Sequence, residues 1–143
     1  MLKRMTPKEA AELLPEGWTY LDVRSVPEFD QGHPRGAVNV PLLDLQAGRM
    51  VPNPDFASVV QACFPTDAKL VVGCKSGGRS AQATALLSSL GYQNLVDVRG
   101  GYGGERDALG RVVVVGWSEA GLPTATEAEP GQAYADLRAK KKA

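Results

Sequence analysis

A cysteine followed within five residues by two glycines and two cations is the part of this chain best suited to chemistry. The apolar run Leu70–Val72 is typical of a buried parallel strand, and Cys74 comes just past its carboxyl end. A helical pattern begins at Ser80. Strand, tight loop and helix N-terminus aim backbone N–H groups at one point, where the helix dipole adds positive potential. The sequence therefore predicts a thiol that ionises readily, with an anion site beside it.

The loop after this cysteine is the predicted anion site. Its members are Lys75, Ser76, Gly77, Gly78, Arg79 and Ser80. The two cations add positive charge, and the paired glycines let the backbone amides turn toward the sulfur. The alternative is a buried structural cysteine before an ordinary strand-to-helix turn. Because that alternative leaves the glycine pair and both cations unexplained, we predict that Cys74 is the catalytic nucleophile.

Two charged residues at the end of an earlier strand are expected to support the site. Asp22 and Arg24 lie at the end of the predicted strand Thr19–Val23. Since the carboxyl ends of parallel strands share one edge of a sheet, both residues should lie at the rim that holds Cys74. Asp22 is expected to order neighbouring backbone amides. Arg24 and Glu28 are four residues apart, which predicts a local ion pair that shapes this loop.

The chain contains one histidine and two cysteines. We interpret His33 as a hydrogen-bonded loop residue and not as a general base, because a cysteine activated by a helix terminus needs no separate base. Cys63 lies on a predicted helix and is interpreted as a small core residue. The alternative is a resolving thiol for Cys74. These residues are too few for a disulfide framework or a Cys-His zinc site, and no metal or organic cofactor is expected.

Strand and helix patterns alternate along the chain, which predicts an α/β fold with a parallel sheet. Thr6, Pro7 and Glu9 form the capping signature of a first helix that Pro15 ends. The other predicted helices run from Pro41 to Arg49, from Asp55 to Phe64, and from Ser80, just after Arg79, to a stop at Gly91. The predicted strands are Thr19–Val23, Ala37–Val40, the strand before Cys74, and Leu95–Val98.

Together with the Cys74 loop, several further motifs resemble the rhodanese family, the sulfurtransferases that carry sulfane sulfur as a cysteine persulfide. These motifs are Leu21-Asp-Val-Arg24, Gly32-His-Pro-Arg-Gly-Ala-Val-Asn-Val-Pro41, Val98-Arg-Gly-Gly-Tyr102 and Gly116-Trp117…Gly121-Leu-Pro123. The resemblance implies a rhodanese-like α/β domain over residues 1–123, with a central parallel sheet of about five strands and helices on both faces. Residues 124–143 are then a polar linker and a C-terminal tail, in which Gly131–Lys142 is expected to dock as a helix through Tyr134 and Leu137.

The resemblance also implies a sulfurtransferase. Cys74 would take sulfane sulfur from thiosulfate or a similar donor, while Lys75, Arg79 and loop amides stabilise the departing sulfite. A thiol or protein cysteine would then accept the sulfur. One alternative is a persulfide carrier or redox-sensing module without turnover. Another is a phosphatase or arsenate reductase, whose loops have one residue more than the four that separate Cys74 from Arg79.

The chain departs from the usual family pattern in three places. Lys75 stands where an arginine commonly follows the cysteine, which keeps the charge but loses the bidentate grip on two oxygens. Pro34-Arg35 replaces the aliphatic residue and its neighbour that commonly follow Gly-His. The segment 102–116 is longer than the usual link to Trp117. We expect this insertion either to form a rim over the site or to be a surface excursion without a role.

Composition restricts the partners. Lys plus Arg and Asp plus Glu both number 16, so the net charge is zero and nothing favours nucleic acid or an anionic membrane as a partner. Apolar runs such as Val112–Val115 are too short to span a bilayer, and the N-terminus lacks an apolar stretch of signal-peptide length. The expectation is a cytoplasmic protein with a small sulfur donor and a thiol or protein-cysteine acceptor as partners.

Overall fold

The computed structural model describes residues 3–141 and has a five-stranded parallel sheet at its centre. In chain order the elements are β1 Lys3–Met5, α1 Pro7–Ala11, a 3₁₀ turn at Leu14–Glu16, β2 Thr19–Asp22, α2 Val26–Gln31, β3 His33–Pro34, β4 Val38–Asn39, β5 Leu43–Gln46, β6 Arg49–Pro52, α3 Phe56–Cys63, β7 Lys69–Gly73, α4 Gly78–Ser89, β8 Asn94–Val98, β9 Glu105–Arg106, β10 Val112–Val114, β11 Thr124–Ala125 and α5 Tyr134–Lys141. The central sheet has the order β1-β8-β7-β2-β4, and each neighbouring pair is parallel. The predicted α/β fold is confirmed.

Side chains that alternate along the central strands enter two apolar cores, one on each face of the sheet. Tyr20 and Val71 point to the face covered by α1, where Trp117 also packs. Leu21 and Val72 point to the opposite face, which α3, α4 and α5 cover. The alternation follows from the two-residue period of a strand. Because helices cover both faces, the inner strands β2, β7 and β8 are mostly apolar, and the loops at the sheet edge are supported by a packed core.

The segment predicted as a helix from Pro41 to Arg49 is a β-hairpin instead. β5 and β6 pair antiparallel, with Leu43 opposite Pro52. Ala47 and Gly48 between them have φ values of 51° and 78°. Two consecutive positive φ values form the tight turn whose twist matches paired strands. The helix prediction was wrong because it overlooked this turn and the two-residue spacing of the leucines in β5.

The N-terminal prediction was correct for the start of the helix, wrong for its end and incomplete for the sheet. The helix α1 ends at Ala11, and Pro15 lies within the 3₁₀ turn Leu14–Glu16. The Thr6 cap of α1 is confirmed, since Glu9 N–H donates to Thr6 Oγ1 at 3.3 Å and Thr6 N–H donates to Glu9 Oε1 at 2.9 Å. The strand β1, which precedes this cap and pairs with β8 at the sheet edge, was not among the predicted strands. An edge strand with two basic residues lacks the apolar run that marks a central strand.

Between residues 124 and 141, two elements pack against the rest of the molecule. Thr124–Ala125, in the segment expected to be a polar linker, pairs antiparallel with β3. In α5, Leu137 is buried, and the Tyr134 hydroxyl accepts a hydrogen bond from Asn53 Nδ2 at 3.1 Å. The end of the predicted terminal helix, Lys142, lies outside the described residues. Between residues 3 and 141, no helix is both long and apolar enough to cross a membrane.

Candidate active site

Cys74 directly follows β7, the middle strand of the sheet. Its side chain is only 1% exposed. The preceding residue, Gly73, lies so close to Tyr20 that a Cβ there would overlap the tyrosine hydroxyl. Because Gly73 has no side chain, the end of β7 can pass directly over Tyr20, and Cys74 then lies at the carboxyl edge of the sheet.

The Cys74 sulfur lies at the N-terminus of a helix. The Gly77 N–H donates a hydrogen bond to Sγ at 3.0 Å. Gly77 has a φ of 121°, a conformation that favours glycine, and this turns its amide toward the sulfur. The 12-residue α4 begins at the next residue, Gly78, so the positive end of its dipole faces the sulfur. From the first turn of α4, Ser80 Oγ approaches Sγ to 3.5 Å.

A glycine-rich backbone segment holds the Cys74 loop from the outside. Tyr102 N–H donates to the Cys74 carbonyl at 2.7 Å, and Gly103 N–H donates to the Lys75 carbonyl at 2.7 Å. Gly101 lies in the chain between β8 and Tyr102. It has a φ of 51°, and a Cβ there would overlap the Cys74 carbonyl oxygen. The two backbones are therefore in direct contact, which leaves no room for a side chain at Gly101.

Arg79 binds a carboxylate in this structure and does not point freely into the anion site. Its Nη1 donates to Glu28 Oε1 at 2.6 Å, and its Nη2 donates to Glu28 Oε2 at 3.0 Å. Burial alone would raise the pKa of Glu28, but hydrogen bonds from Arg79 and Ser25 outweigh it and lower the pKa to about 2. The predicted ion pair between Arg24 and Glu28 is therefore wrong, because packing brings α4 over α2 and Glu28 binds the arginine on α4.

Arg24 binds Asp22 and a carbonyl instead. Its Nε and Nη2 donate to the two Asp22 oxygens at 2.8–3.1 Å, and Nη2 donates to the Gly32 carbonyl at 2.6 Å. The Arg24 N–H also donates to Asp22 Oδ1 at 3.0 Å, so Asp22 orders a backbone amide as predicted. The guanidinium carbon lies 4.4 Å from the ring centroid of Tyr102. This pair is thus a buried brace for the rim.

His33 and Cys63 both lie apart from the Cys74 contacts. Nδ1–H of the fully buried His33 donates to the Phe29 carbonyl at 2.8 Å, and the two rings stack with centroids 3.7 Å apart. Cys63 Sγ donates to the Leu137 carbonyl at 3.4 Å. Cys63 ends the helix that precedes β7, whereas Cys74 follows β7. The five residues of β7, which rise about 3.3 Å each, lie between the two cysteines. The length of this strand is well beyond the roughly 7 Å between Cα atoms that a disulfide can bridge, so the geometry disfavours a resolving role for Cys63.

A cavity of about 250 Å³ opens beside the loop. It is lined by Arg24, Glu28, Gln31, Gly32, Lys75, Tyr102 and Gly103. Arg24 and Glu28 are held in the ion pairs described above. Lys75 makes no ion pair within the part of the chain that the structure describes, and its ammonium group is the cavity cation left for an anionic ligand.

The insertion 102–116 contributes to this cavity only through its first two residues. Tyr102 and Gly103 line it, whereas β10 and β9 form a short antiparallel hairpin. Val113–Val115 line a separate cavity of about 620 Å³, together with Thr6–Lys8 at the start of α1. The rim expectation therefore holds for Tyr102 and Gly103 and not for the hairpin.

Asp97 is a site residue that the sequence reading missed. It lies in β8, is 2% exposed, and its Oδ1 accepts a hydrogen bond from Ser80 Oγ at 2.5 Å. Its Oδ2 accepts a hydrogen bond from Arg4 Nε at 3.1 Å. The available signal was a carboxylate inside the apolar run Leu95–Val98, because an acidic residue is rarely buried without a partner.

Fold and site together define a class of α/β proteins in which a cysteine, at the end of the middle parallel strand, meets the N-terminus of the next helix. The family model "Rhodanese-like domain" matches residues 6–104. The chain belongs to this family.

Named relatives indicate the activity at the level of the family. The chain is 42% identical over 115 residues to "Thiosulfate sulfurtransferase 16, chloroplastic" of Arabidopsis thaliana, covering 80% of this chain and 86% of that protein. It is 36% identical over 124 residues to "Thiosulfate sulfurtransferase 18" of the same organism, covering 85% and 82%. The crystal structure of Rv0390 from M. tuberculosis superposes with a TM-score of 0.72 at 27% identity, covering 87% of this chain and 98% of that one. These similarities support a sulfurtransferase.

Proposed function

We propose that this protein moves sulfane sulfur from thiosulfate, or a similar anionic donor, to a thiophilic acceptor through a persulfide on Cys74. The observation that carries the proposal is the Gly77 N–H, which donates to Cys74 Sγ at 3.0 Å from the N-terminus of α4. An amide donor and a helix dipole at one sulfur stabilise negative charge there. A nucleophilic thiolate needs this environment, and so does the cysteine when it leaves at the end of the cycle.

In the first half-reaction, Cys74 attacks the outer sulfur of the donor. A sulfur–sulfur bond forms at Cys74, the bond between the outer sulfur and the sulfite group breaks, and sulfite leaves with the electron pair. Lys75 lines the cavity and carries a charge that no carboxylate among residues 3–141 neutralises, so we assign the departing sulfite to Lys75 and the loop amides. Arg79 supports the loop through Glu28 and does not bind the anion directly.

In the second half-reaction, a thiol or a protein cysteine attacks the outer sulfur of the persulfide. The sulfur–sulfur bond breaks toward Cys74, and the acceptor leaves as a persulfide. Both half-reactions are nucleophilic displacements at sulfur, so neither calls for a metal or an organic cofactor. The proposed partners are a small sulfur donor and a thiol acceptor, in a reducing compartment such as the cytoplasm.

Intact-mass spectrometry after incubation with thiosulfate tests this function. The parent protein and Cys63→Ser should each gain one sulfur atom, and Cys74→Ser should gain none. Sulfur loading lost in Cys63→Ser alone would refute the site assignment.

The same proteins should then be assayed for thiocyanate formation from thiosulfate and cyanide, and for hydrolysis of an aryl phosphate. We expect thiocyanate and negligible phosphate release, both judged against Cys74→Ser. Sulfur loading without thiocyanate would indicate a carrier module. Phosphate release that depends on Cys74 would indicate the phosphatase class and overturn the proposal.

A further inference from the structure

The β9–β10 hairpin presents apolar side chains on an unpaired strand edge. Val112, Val113 and Val115 are 46%, 49% and 47% exposed. β10 pairs with β9 and, among the strands between residues 3 and 141, with no other. An exposed apolar strand edge is a template for an extended segment of another chain. The hairpin therefore has the properties of a docking surface for such a segment.

The cavity of about 620 Å³ between this hairpin and the start of α1 is named here the hairpin cavity. Pro7, Ala120 and Val113–Val115 supply its apolar walls. The hairpin is held in place, because Val114 packs on Gly100, where a Cβ would come within 2.8 Å of Val114 Cγ1. The volume lies in the range of about 300–1,000 Å³ that is usual for binding cavities. A preformed apolar cavity binds aliphatic side chains at a low ordering cost.

Glycine backbone joins the hairpin cavity to the cavity beside the Cys74 loop. Gly103 lines the cavity on the Cys74 side, and its neighbour Gly104 contacts the carbonyl of Val114, where a Cβ on Gly104 would lie 3.0 Å from the oxygen. Val114 in turn lines the hairpin cavity. Because neither glycine has a side chain, nothing projects from these two positions into the path of an extended chain. One segment can therefore occupy both cavities.

Strand spacing sets the distance between the hairpin cavity and the reactive sulfur. Thr6, which lines the hairpin cavity, follows β1, whereas Cys74 follows β7, and β8 lies between these strands. The parallel register brings the ends of β1 and β7 to the same level at the carboxyl edge of the sheet. Neighbouring strands lie about 4.8 Å apart, so Thr6 and Cys74 are about 10 Å apart across the sheet. Because an extended chain advances about 3.3 Å per residue, about three to five residues lead from one cavity to the other.

Charges along this route suit an uncharged aliphatic segment that carries a thiolate. Lys8 and Arg99 line the hairpin cavity together with Glu119, and Arg99 also binds Glu105 at 3.2 Å. Because these charges balance, the hairpin cavity favours uncharged side chains. At the Cys74 end, the ammonium group of Lys75 attracts the thiolate of an acceptor once sulfite has left.

We propose that the sulfur acceptor is a protein, and that an extended segment of it fills the hairpin cavity with aliphatic side chains about three to five residues from its acceptor cysteine. The inference rests on the proposed sulfurtransferase function. Once the segment is docked, the acceptor thiolate forms a bond to the outer sulfur of the Cys74 persulfide. The bond between that sulfur and Cys74 breaks, and its electron pair moves to Cys74 Sγ. A second copy of this chain paired through β10 would cover the hairpin without using the route to Cys74.

Single-turnover sulfur transfer to synthetic peptides tests the spacing. The protein carries Cys63→Ser, is loaded with thiosulfate and is freed of excess donor. The acceptors are three capped peptides, Cys-Gly-Gly-Val-Ser-Val, its permuted form Cys-Val-Val-Gly-Ser-Gly, and Cys-Gly-Gly-Ser-Ser-Ser. Below saturation, the first peptide should react about tenfold faster than the other two, because burial of its valines favours binding. Equal rates for the first two peptides would overturn the proposal.

Changes in the hairpin locate this preference. Val113→Ser combined with Val115→Ser should remove the advantage of the first peptide, because both side chains line the hairpin cavity. Leu109→Ser is the matched control, since Leu109 is 77% exposed in the same hairpin and does not line the cavity. This control should keep the advantage. An advantage that survives the double change would refute docking at the hairpin, and if the double variant does not fold, the permuted peptide decides with the unaltered hairpin.

NMR of the unloaded protein separates this inference from the proposed function. The probe is the peptide Ser-Gly-Gly-Val-Ser-Val, which has no thiol to accept sulfur. Its addition should shift the amide signals of Lys8 and of residues 112–115. A protein that shows these shifts but gains no sulfur from thiosulfate would retain the docking surface and lose the proposed function. A protein that loads sulfur without these shifts would retain the function and lose the docking surface.

Sedimentation tests the other occupant of the hairpin. The protein should sediment as the same species with and without the double change at Val113 and Val115. A dimer that this double change dissociates would assign the hairpin to a second copy of the chain and overturn the proposal.

Discussion

Two cysteines contact the same apolar core, yet opposite backbone groups surround their sulfurs. Cys74 Sγ accepts a hydrogen bond from an amide at the start of α4, whereas Cys63, the last residue of α3, donates one from its Sγ to the Leu137 carbonyl in α5. Burial raises the pKa of Cys63, although Lys140 opposes this shift. A helix N-terminus favours a sulfur anion, and a carbonyl acceptor favours a thiol. The backbone group that contacts each sulfur, an amide N–H for Cys74 and a carbonyl for Cys63, therefore distinguishes the two cysteines more sharply than their burial does.

The largest effect should come from breaking the backbone contact that supports Cys74. Gly101→Ala places a Cβ on the Cys74 carbonyl at a φ of 51°, so we expect a loss of more than about 3 kcal/mol in the free energy of unfolding. Gly91→Ala, on the Cys63 side, is the matched control. It also has a positive φ, but its Cβ would meet only Thr66 Cγ2 at 3.8 Å, so about 1 kcal/mol should be lost. Urea denaturation measures both, and equal losses would contradict the described contact.

Removing one lysine charge from the surroundings of each cysteine should affect sulfur transfer only on the Cys74 side. Lys75→Met should lower kcat/KM for thiosulfate about ten- to a hundredfold, because a charge-assisted hydrogen bond contributes roughly 1.5–3 kcal/mol. Lys75→Arg should hold or raise activity, since a guanidinium can meet two oxygens. Lys140→Met, beside Cys63, should leave the kinetics unchanged. Thiosulfate kinetics at constant ionic strength measure all three variants. If Lys75→Met is as active as the parent, the loop amides alone bind the anion.

Low pH should destabilise the region around the Cys74 loop, because Glu28 loses its charge there. Its folded-state pKa is lowered to about 2 from an ordinary value of 4.5, so its contribution to stability is complete above pH 4.5 and is lost as the pH falls through 2. Glu28→Gln should cost about 2 kcal/mol at neutral pH, between the values for surface and buried ion pairs. Glu28→Gln should also lack the part of the acid-induced fall in Tm that protonation of Glu28 causes.

Glu105→Gln is the control for an exposed ion pair, because Glu105 binds Arg99 at the surface. Its Tm at neutral pH should stay close to that of the parent. A Tm-against-pH profile of Glu28→Gln that parallels the parent would show that the Arg79–Glu28 pair does not stabilise the loop.

High pH should weaken the contact between Cys63 and α5, and this is the smallest of the four predicted effects. The folded-state pKa of Cys63 is raised, so its contribution to stability is present below the unfolded-state pKa and is lost as the pH rises through the folded-state value. Deprotonation also removes the donor to Leu137. Hydrogen exchange in α5 should therefore accelerate above about pH 9 beyond its intrinsic pH dependence. Cys63→Ala should lack this added acceleration, and identical exchange profiles would exclude Cys63 as its source.

Much of the fold was predictable because its signals are local. The Thr6 cap joins residues three positions apart, and strands with a period of two alternate with helical segments. Predictions failed where two local signals competed or where no local signal existed. The hairpin at Ala47 and Gly48 was mistaken for a helix, and β1 lacks an apolar run because it lies at the sheet edge.

The sequence by itself determined the strand, loop and helix around Cys74, because seven consecutive residues contain the thiol, the glycines and the helix start. Only the tertiary structure decided which charges remain available to that thiol. Arg79 meets Glu28 across 51 residues, and Ser80 meets Asp97 across 17. Hydrogen bonds within a turn depend on neighbours in the chain, whereas these partners are selected when packing brings separate elements together. The local sequence therefore specifies a reactive sulfur, and the packed fold specifies the cation that faces its donor and the carboxylate that lies behind it.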